Sequence, residues 1–368
     1  MSFDERVYQV ALSMLPGVGP VSAKKLISHC GSAGEVFRQK KSQLMKIPHI
    51  GEKTAGAVKN PEALQKAELE LKFAEKKGIR VLFYTDADYP NRLKQCYDSP
   101  AVLFFQGNIS LDYKRVVSVV GTRKMTKYGE ALTEKMISDF ASKEILVVSG
   151  LAYGVDIFAH RAALNCGLPT VGVLAHGLDT LYPSAHKSTA KKMIEQGGLL
   201  TDFPSGTTPD KENFPMRNRI VAGLCDATIV IESGESGGSM ITAEFANNYN
   251  REVFAFPGRV GDAFSAGCHK LIKKNKAALV ESADDILSFM GWDDAHANVK
   301  VAKQTEMILP LDEEQEKVVE ALRDHGNVYI DEICSSCGFA PGKVSSVLLN
   351  LEFSGVVKSL PGKFYRLQ

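Results

Sequence analysis

Residues 116–123 read Val-Val-Ser-Val-Val-Gly-Thr-Arg, and residues 145–156 read Ile-Leu-Val-Val-Ser-Gly-Leu-Ala-Tyr-Gly-Val-Asp. Each opens on a short run dominated by β-branched and aliphatic side chains, with Ser118 in the middle of the first, and breaks at a glycine-containing polar loop. A strand with one wet face alternates apolar and polar residues; these runs do not, so both of their faces are buried. The pattern recurs at 170–174 (TVGVL), 227–231 (ATIVI) and 253–256 (VFAF), with helical periodicity in most of the intervals. Gly198-Leu199-Leu200-Thr201 reads as a further strand. Strands and helices in alternation predict an α/β fold, a parallel sheet covered on both faces.

The flanks read differently. Residues 1–60 hold two similar turns, Leu15-Pro16-Gly17-Val18-Gly19 and Ile47-Pro48-His49-Ile50-Gly51, each opening a helix. They resemble helix-hairpin-helix turns, in which glycine permits the tight backbone and helix N-termini can face a phosphate. This segment carries nine Lys/Arg, Lys24 and Lys25 among them, against four Asp/Glu. A helix from Pro61 to Lys77, ended by Gly78, leads to the strand-like runs Val81-Leu82-Phe83-Tyr84 and Val102-Leu103-Phe104-Phe105, with a turn at Tyr89-Pro90 between them. Periodicity is lost over 291–310. Beyond it a helix at 312–325, a short Val328-Tyr329-Ile330, helices near 331–337 and 341–354, and two strands around Pro361-Gly362 spell a winged helix. The expected organisation is a helical domain at 1–65, a core at 66–292, a linker at 293–310 and a winged-helix domain at 311–368.

Bulk composition narrows the function. The 368 residues carry 44 Lys plus Arg and 43 Asp plus Glu. The net charge therefore creates no field for nucleic acid, and any anion-binding surface must come from local arrangement. No run is apolar for the ~18 residues of a membrane span, and the start, MSFDERVYQV, lacks a signal-peptide layout. Seven scattered cysteines fit a reducing cytoplasm better than a disulfide framework.

In open parallel sheets, ligands bind beyond the carboxyl ends of the strands. Here those ends open into Gly121-Thr122-Arg123, Ser149-Gly150-Leu151-Ala152, His176-Gly177-Leu178-Asp179, Gly234-Glu235-Ser236-Gly237-Gly238-Ser239 and Pro257-Gly258-Arg259. One such loop is ordinary turn chemistry; five on one edge describe a surface of backbone N–H groups suited to phosphate oxygens. Arg123, Lys187, Lys211, Arg217, Arg219 and Arg259 supply cations near that edge. The segment Asn213-Phe214-Pro215-Met216-Arg217-Asn218-Arg219 adds a ring able to stack on a base. No HExxH, paired CxxC or GxxxxGK[ST] motif is present, so no metal, cofactor or Walker-type nucleotide site is expected. Cys334-Ser335-Ser336-Cys337 stands alone and reads as buried small residues.

These motifs together resemble the DNA-processing protein A (DprA/Smf) family over roughly 80–290. The ordered set is Val120-Gly121-Thr122-Arg123, Ser149 to Asp156, His160, Gly177-Leu178-Asp179 with Tyr182-Pro183, Phe214 to Ala222, Ser236-Gly237-Gly238-Ser239 with Thr242-Ala243, and Pro257-Gly258. The resemblance implies an extended Rossmann-like core that binds single-stranded DNA in natural transformation. It also implies a homodimer formed through that core, which hands the strand to a RecA-type recombinase and is no enzyme. By motif, Arg123, Lys187, Lys211 and Phe214 are implied as phosphate contacts and a stacking ring. Gly121, Thr122, Ser149, Gly150, Arg217, Asn218, Arg219, Gly237, Gly238 and Ser239 join them as DNA-binding positions, some bracing the pocket. Thr122 stands where serine is usual, and His186 where many relatives carry asparagine.

A rival reading is an enzyme. Gly237-Gly238-Ser239 with Thr242 and Glu244 loosely resembles an element of nucleotide phosphoribohydrolases, in which Glu244 and a nearby arginine would cleave the N-glycosidic bond of a nucleoside monophosphate. The winged-helix segment, with six Lys/Arg against nine Asp/Glu, is expected to meet protein rather than DNA.

Overall fold

The buried runs assemble into one nine-stranded sheet in a computed structural model that describes residues 3–60, 62–293, 311–323, 327–354, 356–360 and 363–367. Pro61, the Pro361-Gly362 turn, the end of the helix expected to reach 325, and the linker beyond residue 293 lie outside the described residues. The strands are β1 (Arg80–Phe83), β2 (Val102–Gly107), β3 (Arg115–Val120), β4 (Ile145–Ser149), β5 (Thr170–Val173), β6 (Gly197–Thr201), β7 (Ala227–Val230), β8 (Glu252–Ala255) and β9 (Ala278–Leu279). Their order is β1-β2-β6-β5-β4-β3-β7-β8-β9. From β6 to β9 every neighbouring pair is parallel. The runs expected to lead into the core instead extend the sheet, β2 antiparallel to β6 and β1 antiparallel to β2. No long crossover helix joins β1 to β2, and an antiparallel pair needs none.

Alternate residues of β3 serve opposite cores. Val116 and Val120 pack with the helices Asn213–Gly223 and Gly238–Asn248. Val117 and Val119 pack with Lys127–Asp139 and Val155–Asn165. The chain steps from β3 through β4 and β5 to β6, then crosses back to place β7 on the other side of β3. The helices that follow β3 and β7 therefore leave on opposite faces, and a crevice opens between the loops at those two strand ends.

The N-terminal helices share a core with Phe83, Val102 and Phe104 of β1 and β2, and residues Met1–Asp293 form one compact unit. The boundary expected at 65/66 falls inside the helix Glu62–Lys77. The two predicted turns are geometric twins. Gly17 and His49 both have positive φ, +75° and +66°, and Val18 N–H and Ile50 N–H each close the turn onto the residue three before. The first repeat docks inward: the Lys24 ammonium donates to Ser99 Oγ and lies 5.4 Å from the Tyr84 ring centre. Burial there pulls its pKa down to about 8.

A second tie uses Glu70, whose buried carboxylate accepts from Ser205 N–H at 3.0 Å and from the Ser205 hydroxyl. Thr207 O in turn accepts from Gly177 N–H at 3.1 Å.

The second unit, Asp294–Gln368, has helices Glu313–Leu322, Ile330–Cys337 and Pro341–Phe353. Its strands Val328–Tyr329, Val357–Leu360 and Phe364–Leu367 form a three-stranded sheet with the last strand central. That is the predicted winged helix with one extra short strand. Cys334 and Cys337 sit half-buried against its core, and all seven cysteines are unpaired. Among the described residues no helix is long and apolar enough to cross a membrane.

Replacing Glu70 by alanine leaves the Ser205 amide without its charged acceptor. Denaturant unfolding should show a loss of about 1.5–3 kcal/mol from the larger unit, the range for hydrogen bonds to a charged group; an unchanged midpoint would show that the tie contributes nothing.

Candidate nucleic-acid interface

Three strand-end loops meet at the crevice, and glycine lets them meet. A Cβ on Gly121 would lie 2.3 Å from Val155 Cγ2, and one on Gly154, at φ +75°, would lie 2.1 Å from Thr122 O. Packed this closely, Thr122 N–H donates to Glu232 O at 2.6 Å and Val155 N–H donates to Thr122 O at 3.2 Å. The loop after β3 is thus clamped from both sides, and Arg123 leaves it at a fixed point.

The crevice encloses about 360 Å³. Its walls are Gly121, Thr122 and Arg123 on one side and Gly234 with Ser236–Ser239 on the other, with Phe214, Arg217, Asn218 and Phe264 between them. The helix Gly238–Asn248 begins at this wall without a side-chain cap, so the positive end of its dipole faces the opening. Asn218 Nδ2 and the Thr242 hydroxyl both donate to Gly238 O, at 3.2 and 3.0 Å. The Ser239 hydroxyl is occupied by Ser233, Oγ to Oγ 2.8 Å.

Arg123 is exposed, and its guanidinium lies 5.5 Å from the centre of the half-buried Phe214 ring, within cation–π range. Tyr182 packs against the same ring, tilted, at 6.2 Å between centres. Arg123 also lines two further cavities, a small one of about 20 Å³ shared with Phe214 and Tyr153, and an outer one of about 400 Å³. The three cavities run as a chain along the strand ends, with this arginine in each.

Beneath the opening lies a buried guanidinium, with the Asp156 carboxylate in its field. Arg217 is 4% exposed. It donates to Gly150 O at 2.5 Å, to Val173 O and, through Nε, to Asn218 Oδ1 at 3.2 Å. Burial lowers its pKa to about 10, opposed by Asp156 and reinforced by Arg123, so it remains a cation at neutral pH. Burial raises the Asp156 carboxyl, which Arg217 and the Ala152 N–H, at 3.3 Å, partly offset. His160 is fully buried; its Nδ1 lies 2.6 Å from Thr170 Oγ1, whose proton goes to Val147 O. His160 Nδ1–H is therefore the donor. Burial, with Arg217 and His186 acting in the same sense, depresses this imidazole to about 3. His176 fixes the next loop, with Nδ1 at 2.9 Å from Gly177 O and Nε2 accepting from Tyr182 N–H at 3.2 Å.

The structure gathers Gly121, Thr122, Arg123, Gly150, Phe214, Arg217, Asn218, Gly237, Gly238 and Ser239 around one crevice. Two other candidates face elsewhere. Ser149 is fully buried and its hydroxyl donates to Val119 O at 2.6 Å, so it binds the sheet together rather than facing the opening. Arg219, 7% exposed, is held by Asp202 at 2.7 Å, by Met216 O and by Asp98 O. Lys187 opens the helix Lys187–Gln196 beside His186, and Lys211 precedes Phe214; both are exposed and line none of the three cavities. Phe264 was missed because it reaches the crevice through a long-range contact, Ser233 N–H to Phe264 O at 2.6 Å, which leaves no local pattern. Glu244, the acid of the rival enzyme reading, is ion-paired with Lys276 at 2.6 Å and lines a separate surface cavity. Among the described residues no group of three or more His, Cys, Asp or Glu side chains is arranged to hold a metal.

The buried histidine sets an acid limit. An unfolded imidazole takes a proton at about pH 6.5, the folded one only near 3. Between these values the unfolded state holds more protons, so stability falls as pH is lowered, by up to about 1.4 kcal/mol per pH unit. His160→Gln should flatten this dependence between pH 6.5 and 3 in unfolding experiments; an unaltered slope would assign the acid sensitivity elsewhere.

Comparison with known proteins places this geometry. The profile of the family described as DNA recombination-mediator protein A matches residues 80–291. A DprA winged helix domain profile matches 302–363, and a SAM-like helix-hairpin-helix tandem matches 10–66. The chain is 30% identical to Protein Smf of Synechocystis, over 100% of both chains. It is 36% identical to the DNA processing protein DprA of Streptococcus pneumoniae, over 69% of this chain and 96% of that one. The X-ray structure of the S. pneumoniae protein superposes with TM-score 0.63 at 32% identity, covering 78% of this chain and 98% of that one. A Helicobacter pylori DNA processing protein A, whose structure is described in terms of its single-stranded DNA binding mode, gives TM-score 0.53 at 27% identity over 58% of this chain and 95% of that one.

Proposed function

The chain belongs to the DNA recombination-mediator protein A (DprA/Smf) family, and from that membership we propose that its strand-end crevice grips single-stranded DNA. The observation that carries the reading is Arg123: an exposed guanidinium, fixed by a clamped loop, set over an accessible aromatic ring and lining three neighbouring cavities. A guanidinium fits a phosphate in a bidentate manner. The Phe214 ring offers a face to a base, which only an unpaired strand can present. Lys187 and Lys211, exposed and without ion-pair partners among the described residues, add positive charge to this part of the surface. Asp156 is engaged by Arg217 and Glu244 by Lys276, which supports a binding role rather than turnover. In this reading the protein is a cytoplasmic mediator. It protects DNA arriving in natural transformation, passes it to a RecA-type recombinase and acts as a homodimer through the Rossmann-like core. The acidic winged-helix unit meets protein rather than the strand.

Gel shifts should favour single-stranded over double-stranded oligonucleotides. Arg123→Ala should weaken binding to all sequences and lower the salt slope by about 0.7, the single-strand value per phosphate contact. Phe214→Ala should cost about 1–3 kcal/mol. Unchanged affinity in both variants, or equal binding of duplex, would reject the proposal.

A further inference from the structure

The outer cavity is not explained by Arg123 and Phe214. It lies past Arg123, holds about 400 Å³, and is lined by Lys124, Tyr153, Phe158, Arg161 and His186 as well as Arg123. Its composition is divided. Phe158 and Ile157 give an apolar floor, while Lys124 and Arg161 are exposed cations at the edge. Tyr153 is 49% exposed. It is braced edge-on against His186, with ring centres 4.9 Å apart and planes at 70°. His186 is itself buried, with Nδ1 at 2.9 Å from Leu151 O. The brace holds an accessible ring in one orientation before any ligand arrives, so little conformational freedom is lost when a flat partner lies on it.

We infer that this cavity is a second base subsite, in which Tyr153 stacks on a nucleotide base of the strand while Arg161 and Lys124 take the flanking phosphates. The inference rests on the single-strand reading of the crevice and extends it. The lining also holds one carboxylate, Glu130, which is paired with Lys127 at 2.6 Å. A carboxylate on the wall disfavours phosphate inside and leaves the apolar floor to a base, with phosphates at the edge. The small cavity lined by both Phe214 and Tyr153 joins the two subsites, with Arg123 between them. A strand threaded along the edge would therefore meet ring, guanidinium and ring in turn. His186 is here a positioning residue for Tyr153.

The test compares an oligothymidylate with an oligomer of equal length whose sugars carry no bases, at matched salt. Tyr153→Ala should lose about 5-fold or more in affinity for the base-bearing strand, the lower end of what one base–aromatic stack contributes. It should lose little for the abasic strand, and Tyr153→Phe should behave as the wild type. Arg161→Gln should weaken both ligands and lower the salt slope. As a direct readout, Tyr153→Trp can be placed in a Trp292→Phe background, Trp292 being the one tryptophan of the chain. Its emission should be quenched by oligothymidylate and not by the abasic strand. An unquenched indole, an equal loss on both ligands, or no loss with Tyr153→Ala overturns the subsite while leaving the crevice reading intact. A wild-type chain that binds neither oligomer overturns both.

Discussion

One buried guanidinium sets the spacing of the whole edge. Arg217 reaches from its helix to the carbonyls that end β4 and β5, Gly150 O and Val173 O, and faces Asp156 at the start of the next helix. A β-α-β stretch and a helix more than forty residues further along the chain are thereby held to one charge. A lysine would supply the charge but not the planar fork that meets two carbonyls and an amide together. The exposed arginine above it, Arg123, is free to meet a ligand because the buried one does the holding.

This division between two arginines explains how much was legible beforehand. The strands at 116–120 and 145–149 were readable because runs dominated by aliphatic side chains have few other uses. The loops at their ends were readable because glycine there answers a steric demand that the structure makes concrete at Gly121 and Gly154. Roles within a motif were harder. Arg217 and Arg219 look equivalent in the sequence, yet two steps along a helix turn a side chain by about 200°, so one faces the crevice and the other the Asp202 side. That much could have been drawn from helix geometry. Ser149 sits where a loop was expected to begin, but it is still the last residue of a fully buried strand and its hydroxyl points into the sheet. Phe264, the antiparallel direction of β1 and β2, and the fusion of the helical repeats with the sheet all depend on contacts distant in sequence, where no local period exists to read.

The two helical turns show how a repeat loses its symmetry. Their backbones remain alike to the sign of φ at Gly17 and His49. Their surroundings do not: the first carries Lys24 into contact with Ser99 and Tyr84, where its ammonium is partly desolvated. The basic excess of residues 1–60 is therefore not all available to solvent, and counting charges overstates the positive face of this layer.

The link from Glu70 to Ser205, and from Thr207 to Gly177, runs between the helical layer and the loops that follow β5 and β6. A carboxylate more than a hundred residues away in the chain thus shapes ground bordering a site it never touches. A relative that keeps the sheet but discards the helices needs another acceptor for this loop, or carries an edge with a softer outline and a correspondingly larger entropic burden whenever a strand settles on it.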